Sequence, residues 1–406
     1  MTAISHGSPA YRRLTLAMLF AGFATFALLY AVQPLLPLFA REFGLSAEAS
    51  SLAVSIATGP LAIGILAAGA LSDRIGRRGL MVAAMFLAAA LATATAFAPG
   101  WPALLALRCL TGIALAGVPA VAMAYVAEEV DPLAVGAAMG LYVAGSAIGG
   151  MAGRLGASLL TDAFGWRAAL AIVGLASLML AEAFRRLAPP SRGFVPRAAS
   201  PRAMLAAIVA LIRDAALPWL YLEAFLLMGA FVTLYNYVGF RLEAPPYGLG
   251  HAAVGAIFLL YILGSFSSAW FGALAGARGR RLVFWVPITI LMIGIALTGA
   301  RPLGWIVVGI GLATIGFFGA HSIAASWVGR RAMAARGQAA ALYLFAYYAG
   351  SSVLGSAGGI AWTRAGWPGV VWFCAGLIAL ALLAAVRLFF VPPVPLAESP
   401  KESVPG

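Results

Sequence analysis

The stretch GALSDRIGRR, Gly69 to Arg78, returns as GALAGARGRR, Gly272 to Arg281. Each copy is a short arginine-rich interval between two long apolar runs, so each is a loop joining two buried segments. Three further pairs keep nearly the same spacing. Phe26, Leu29 and Tyr30 return as Phe231, Leu234 and Tyr235, and Gly117, Ala122 and Val126 return as Gly319, Ala324 and Val328. Tyr142, Ala144, Gly145, Ser146, Gly150 and Gly153 return as Tyr347, Ala349, Gly350, Ser351, Gly355 and Gly358. One offset held across four segments marks an internal duplication.

The loops sit in a chain that is 63% hydrophobic and 10% charged, against about 45–50% and about 25% in soluble domains. A hydrocarbon core about 30 Å thick takes roughly 20 apolar residues per helix. Twelve such runs fit: 14–39, 50–71, 80–98, 102–126, 134–160, 166–184, 216–240, 251–276, 282–300, 303–328, 338–360 and 368–390. They are unbroken rather than alternating over about ten residues, which predicts helices and not barrel strands. The predicted fold is all-α integral membrane, twelve transmembrane helices in two six-helix bundles. With six spans each, both copies start on the same side, related by an axis along the bilayer normal.

A net charge of +13 would point to nucleic acid in a soluble chain, but its placement here follows the membrane. Arg12, Arg13, Arg74, Arg77, Arg78, the cluster from Arg185 to Arg213, Arg278 to Arg281, Arg330 to Arg336, Arg387 and Lys401 share one side. Only Arg41, Arg167, Arg241, Arg301 and Arg364 lie opposite. The positive-inside rule then places both termini in the cytoplasm, which an even span count requires. The predicted divisions are a cytoplasmic N-terminus at 1–13, a first bundle at 14–184, a basic cytoplasmic linker at 185–215, a second bundle at 216–390 and a cytoplasmic tail at 391–406. Within the linker, Ala203 to Leu211 suits an amphipathic helix lying on the membrane face. The first run is far longer than the apolar region of a signal peptide and reads as an uncleaved helix.

Several function classes drop out. The only lysine, Lys401, lies in the tail, so no Walker-type nucleotide loop exists in this chain. Neither H-E-x-x-H nor G-x-S-x-G is present for a membrane enzyme, and no repeated pore filter marks a channel. Cys109 and Cys374 fall within spans and form neither a disulfide framework nor a metal motif, so no metal or cofactor is expected. A carrier remains.

The spacing of Gly69, Asp73, Arg74, Gly76, Arg77 and Arg78 resembles the signature loop of the major facilitator superfamily. That resemblance implies a secondary transporter in which Asp73 contacts the opposite half and latches one access state. Arg77 is expected to meet Glu128, Glu129 or Asp131 at the end of span four. The second copy has Gly276 and Ala277 where the first has Asp73 and Arg74, so the latch is one-sided. In span four, L-R-C-L-T-G around Arg108 resembles the drug-proton antiporter branch. In span five, GSAIGGMAGR, Gly145 to Arg154, resembles that branch's antiporter motif, with Ser146 in place of its proline. Gly145, Gly149 and Gly150 also suit plain close packing of helices, and both readings stand. YAVQPLLP from Tyr30, LYNY from Leu234, HSIAASWV from His321 and YYAGSS from Tyr347 are similar to the YnfM-like group of that branch. The likeness implies that spans one, four, seven and ten line the solute path, with Tyr30, Gln33, Arg108, Tyr235, Asn236 and His321 as contacts; the tyrosines also suit an interfacial belt.

Charges within spans are costly and usually face a cavity or a partner. Arg108 lies roughly 10 Å into the core, and the reading favours solute or proton coupling over snorkelling. Arg154 shares that depth, as a second cavity charge or an interfacial one. Glu223 and His321 share a depth nearer the arginine-rich side and are expected to form or approach a protonatable pair. Proton-coupled efflux of a small organic solute across the inner membrane, by a monomer with no nucleic-acid partner, is the expected function; the alternative is an uncoupled facilitator or importer of a sugar or organic anion.

Overall fold

The computed structural model describes residues 3–194 and 201–392 and is helical almost throughout. Among the described residues, ten helical stretches are long and apolar enough to cross a membrane. Two of them, Val135–Leu187 and Arg336–Phe389, run to 53 and 54 residues. At about 1.5 Å per residue each is long enough for two crossings. Non-helical backbone at Gly165 divides the first, and at Ala365 and Gly366 the second. Twelve spans result, as the hydropathy pattern predicts.

The duplication is written in the backbone as well. Glycines with positive φ pair off between the halves as Gly44 with Gly248, Gly76 with Gly279 and Gly165 with Gly366. A side chain is strained at such angles, so the turns of both copies need glycine at equivalent places.

Span one is not the continuous helix that the apolar run suggests. It is helical over Pro9–Tyr30, passes through a 3₁₀ turn at Gln33–Leu35 and resumes at Leu36–Phe43. Pro34 and Pro37 supply no amide hydrogen there, which is why the ladder breaks. Span four breaks likewise, between Trp101–Leu115 and Pro119–Glu129. Between the halves, Pro201–Ile212 forms a helix of twelve residues, matching the amphipathic stretch read from the linker.

Close helix contact explains the glycines of span five. A Cβ at Gly145, Gly149 or Gly153 would meet the backbone of Leu19, Phe23 or Ala27 at under 3 Å. Positions four apart on span five thus face positions four apart on span one, the small-residue geometry that lets backbones touch. The second half repeats it between spans eleven and seven, at Gly350 against Phe225 and Gly358 against Thr233. At the middle step the roles reverse, with Gly229 of span seven making room for Leu354.

The apolar core shows how the halves meet. One cluster joins Leu28 to Phe39 and Ala53 to Ile65 of the first half with the core of the second. A separate cluster, built on Leu14, Met18, Met81, Met85, Tyr125 and Phe184, holds the arginine-rich end of the first half alone. The halves therefore share a core toward the face opposite the arginines and part toward the arginine-rich face.

Candidate functional site

At the break in span one, helical bonding stops and the last carbonyls lose their intrahelical partners. Arg108 takes them. Its Nη1 and Nη2 donate to the carbonyls of Leu28 and Leu29 at 2.9 and 2.5 Å, and its Nε donates to Ala53 of span two at 2.9 Å. The side chain is 1% exposed. A cation at a helix C-terminus is favoured by the aligned peptide dipoles. This differs from the expected placement on the solute path: all three guanidinium nitrogens are spent on backbone carbonyls, and the small cavity beside Arg108 is lined by first-half residues.

Arg154 occupies the centre instead. It donates from Nε to Gln33 Oε1 at 2.6 Å and from Nη1 to the Gly150 carbonyl at 2.7 Å. Gln33 in turn donates to Asn236 Oδ1 across the interface at 2.7 Å. The guanidinium carbon lies 4.1 Å from the centroid of the Tyr30 ring, 4.9 Å from Tyr261 and 5.2 Å from Phe258. Tyr235 hydrogen-bonds Thr314 at 2.8 Å and packs on Phe258 and Tyr261. Four of the predicted contacts, Tyr30, Gln33, Tyr235 and Asn236, thus gather around Arg154. Phe258 and Tyr261 of span eight complete the cage; nothing in the sequence distinguishes them from ordinary apolar lining.

His321 lies further toward the arginine-rich face. Its Nδ1 is 2.9 Å from the Tyr343 hydroxyl, and its ring stacks on Phe317 and tilts against Tyr347. Glu223 is fully buried, and neither carboxylate oxygen has a hydrogen-bond partner among the described residues. The predicted pair is therefore not in hydrogen-bond contact in this structure; His321 Nδ1 is bonded to the Tyr343 hydroxyl instead.

The latch loop is bonded within its own half. Arg77 pairs with Asp73 at 2.5 Å and with Glu128 at 2.9 Å, and donates to Ser72. Glu129 accepts from the Gly193 amide at 2.9 Å, while Arg78 donates to the carbonyls of Ala188 and Arg185. Arg74 is exposed, and Gly76 carries the positive φ that turns the loop. Asp73, expected to reach the opposite half, turns back onto Arg77 here, because the halves have separated at this face. Gly145 and Gly149 pack against span one as described, Ser146 donates to its own helix at Tyr142, and Gly150 offers its carbonyl to Arg154.

On the far face the halves are stitched together. Ser352 and Ser356 of span eleven donate to the carbonyl and hydroxyl of Ser55 at 2.9 and 2.6 Å. Arg41 meets Glu243 at 2.7 Å, and Glu243 meets His251 at 3.0 Å. Asp162 of the first half accepts from the Ala252 amide at the start of span eight, a cap supplied by the other half. Among the described residues, the side-chain hydrogen bonds between the two bundles are these, the Gln33–Asn236 pair and Ser51 with Ser356, and none is made by the arginine-rich loops. The serines four apart, at 51 and 55 and at 352 and 356, were the available sequence signal for this seam.

Comparison with known proteins follows the same lines. The family model described as Major Facilitator Superfamily matches residues 18–355. The chain is 45% identical over 385 residues to the inner membrane transport protein YnfM of Escherichia coli (strain K12), covering 95% of this chain and 92% of that one. It is 43% identical over 388 residues to the uncharacterized MFS-type transporter YybF of Bacillus subtilis (strain 168), covering 96% and 95%. A bacterial homolog of the human lysosomal transporter Spinster, solved in an inward-facing and unoccupied conformation, shares the fold with a TM-score of 0.77 at 16% identity, over 94% of this chain and 97% of that one.

Proposed function

The chain belongs to the Major Facilitator Superfamily, a multi-pass transporter rather than an enzyme, and we propose that it exports a small organic solute in exchange for protons by alternating access. In this reading the arginine-rich face is cytoplasmic, the membrane is the inner membrane and the working unit is a monomer. Residues 14–184 rock against 216–390 about the centre marked by Gln33 and Asn236. The observation that carries the reading is the one-sided seam: the described hydrogen bonds tie the bundles at the centre and on the far face, none is made by the arginine-rich loops, and the shared core parts on that side. A molecule held by short polar contacts at one face, with small residues along both helix seams, is built to rock. The self-paired Asp73 loop fits the state in which its latch is open.

Glu223 supplies the coupling. A carboxylate at that depth with no partner costs several kcal/mol when ionised, so its proton is tied to what the rearrangement brings beside it. Rearrangement that brings it a cation or water lets it release the proton. His321, bonded to Tyr343, is the second exchangeable group. The same residues, with Arg154 and the span-five motif, support the drug-proton antiporter branch.

Purified protein in liposomes loaded with a pH-sensitive dye tests this. Applying a gradient from a panel of organic anions, sugars and amphiphilic drugs is expected to drive proton movement in the opposite direction. Glu223→Gln is expected to abolish the proton signal while leaving solute counterflow. Solute movement without protons in the unaltered protein would contradict the coupling and leave a facilitator.

A further inference from the structure

Arg154 has a charge that its own surroundings do not balance. It is 3% exposed, no carboxylate among the described residues forms a salt bridge with it, and its two described hydrogen bonds leave Nη2 without one. Three aromatic faces cover it. Desolvated cation–π contact returns only part of what burying an ion costs. A carboxylate received by the free edge of the guanidinium would make the short charge-assisted bonds that close this gap.

Two further features point to an acceptor-rich ligand. The hydroxyls of Tyr30 and Ser351 are buried beside each other and neither is bonded to any other group, and Tyr30 forms one wall of the Arg154 cage. Buried hydroxyls left unmade are costly, and each has a proton to give. Beyond the cage the lining is aromatic: Phe231 stacks on Phe317 with centroids 3.9 Å apart, and Phe317 stacks on His321 at 5.9 Å. This aromatic column runs from the cage toward the face where the bundles part, and because Phe231 and His321 cover both faces of Phe317, a planar body meets it at the ring edges.

From this arrangement we infer that the solute is an aromatic monocarboxylate, its carboxylate held by Arg154 with Tyr30 and Ser351 and its ring lying along the Phe231–Phe317 column. This assignment rests on the alternating-access reading above and names the solute class of that same centre. It also explains the polarity of the site: an anion paired with Arg154 removes the uncompensated charge, whereas a cation would meet one.

The test is titration calorimetry on the full chain in lipid nanodiscs at pH 7, with benzoate, its neutral isostere benzamide, and acetate. Benzoate is expected to bind at least about tenfold more tightly than either. Arg154→Gln is expected to remove that preference, and Arg154→Lys, which keeps the charge without the planar fork, to weaken benzoate at least about fivefold. Where Arg154→Gln does not fold, the benzoate-to-benzamide ratio in the unaltered protein decides alone. Equal binding of benzoate and benzamide, or no benzoate binding, overturns the assignment. Running the same liposome flux panel in parallel separates the two claims: a neutral or cationic solute that is transported while benzoate is not leaves the transporter reading standing and this one refuted.

Discussion

Arg108 and Arg154 are the same residue type at similar depth, and the structure gives them opposite work. Arg108 closes the end of a broken helix with three bonds to carbonyls. Arg108→Ala strands those carbonyls in the core, and is expected to cost about 3 kcal/mol or more, read as a lower unfolding temperature in detergent before any solute is added. Retained thermal stability would show that the clamp is dispensable. The sequence marked both arginines as exceptional, yet it held no sign of which would be spent on backbone, because that depends on where span one breaks. Asp214 offers a pH handle outside the membrane. Burial alone would raise its carboxyl, but the Arg331 guanidinium and the amides of Ala216 and Leu217 outweigh it and hold it below the usual carboxylate value. A depressed value means that its stabilisation is present above the ordinary carboxylate value of about 3.9 and is lost as pH falls through the lower folded one. Asp214→Asn is therefore expected to lower the unfolding temperature at pH 7 and to converge with the unaltered protein toward pH 3, as thermal scans at the two pH values will show; equal stability of the two at pH 7 would remove the carboxylate from the account.

The helices themselves were largely readable, since length and hydropathy alone place twelve crossings and the duplicated loops fix their grouping. What escaped was discontinuity. Pro34 and Pro37 flag a weakened ladder, but prolines are also carried inside continuous spans here, as Pro60 is, so proline alone does not tell a break from a tolerated kink. The glycine pattern of span five had two readings, and the structure gives Gly145, Gly149 and Gly153 a packing role against span one. Gly149→Leu would drive a side chain into the backbone of Phe23, and is expected to prevent stable folding or cost several kcal/mol. Gly156→Ala, where nothing lies within 4 Å, is expected to stay within about 0.5 kcal/mol of the unaltered protein. Size-exclusion profiles and unfolding temperatures compare the two; similar behaviour would refute the zipper.

At the scale of the whole molecule, two bundles share a core and a polar seam on one face and separate on the other. Hydropathy cannot reveal this, because it reports which residues suit lipid and not which helix faces meet across the two bundles. The Asp73 loop stood out by its spacing, while the serine seam on the opposite face did not, since serines four apart are common in spans. That seam offers the most direct test of alternating access. In a background with Cys109 and Cys374 replaced by alanine, Ser55→Cys with Ser356→Cys places two thiols where hydroxyls now stand 2.6 Å apart. Oxidation is expected to cross-link the bundles and stop solute transport in liposomes, and reduction to restore it. Undiminished transport by fully cross-linked protein would contradict the account, because the solute would then cross without this seam ever opening.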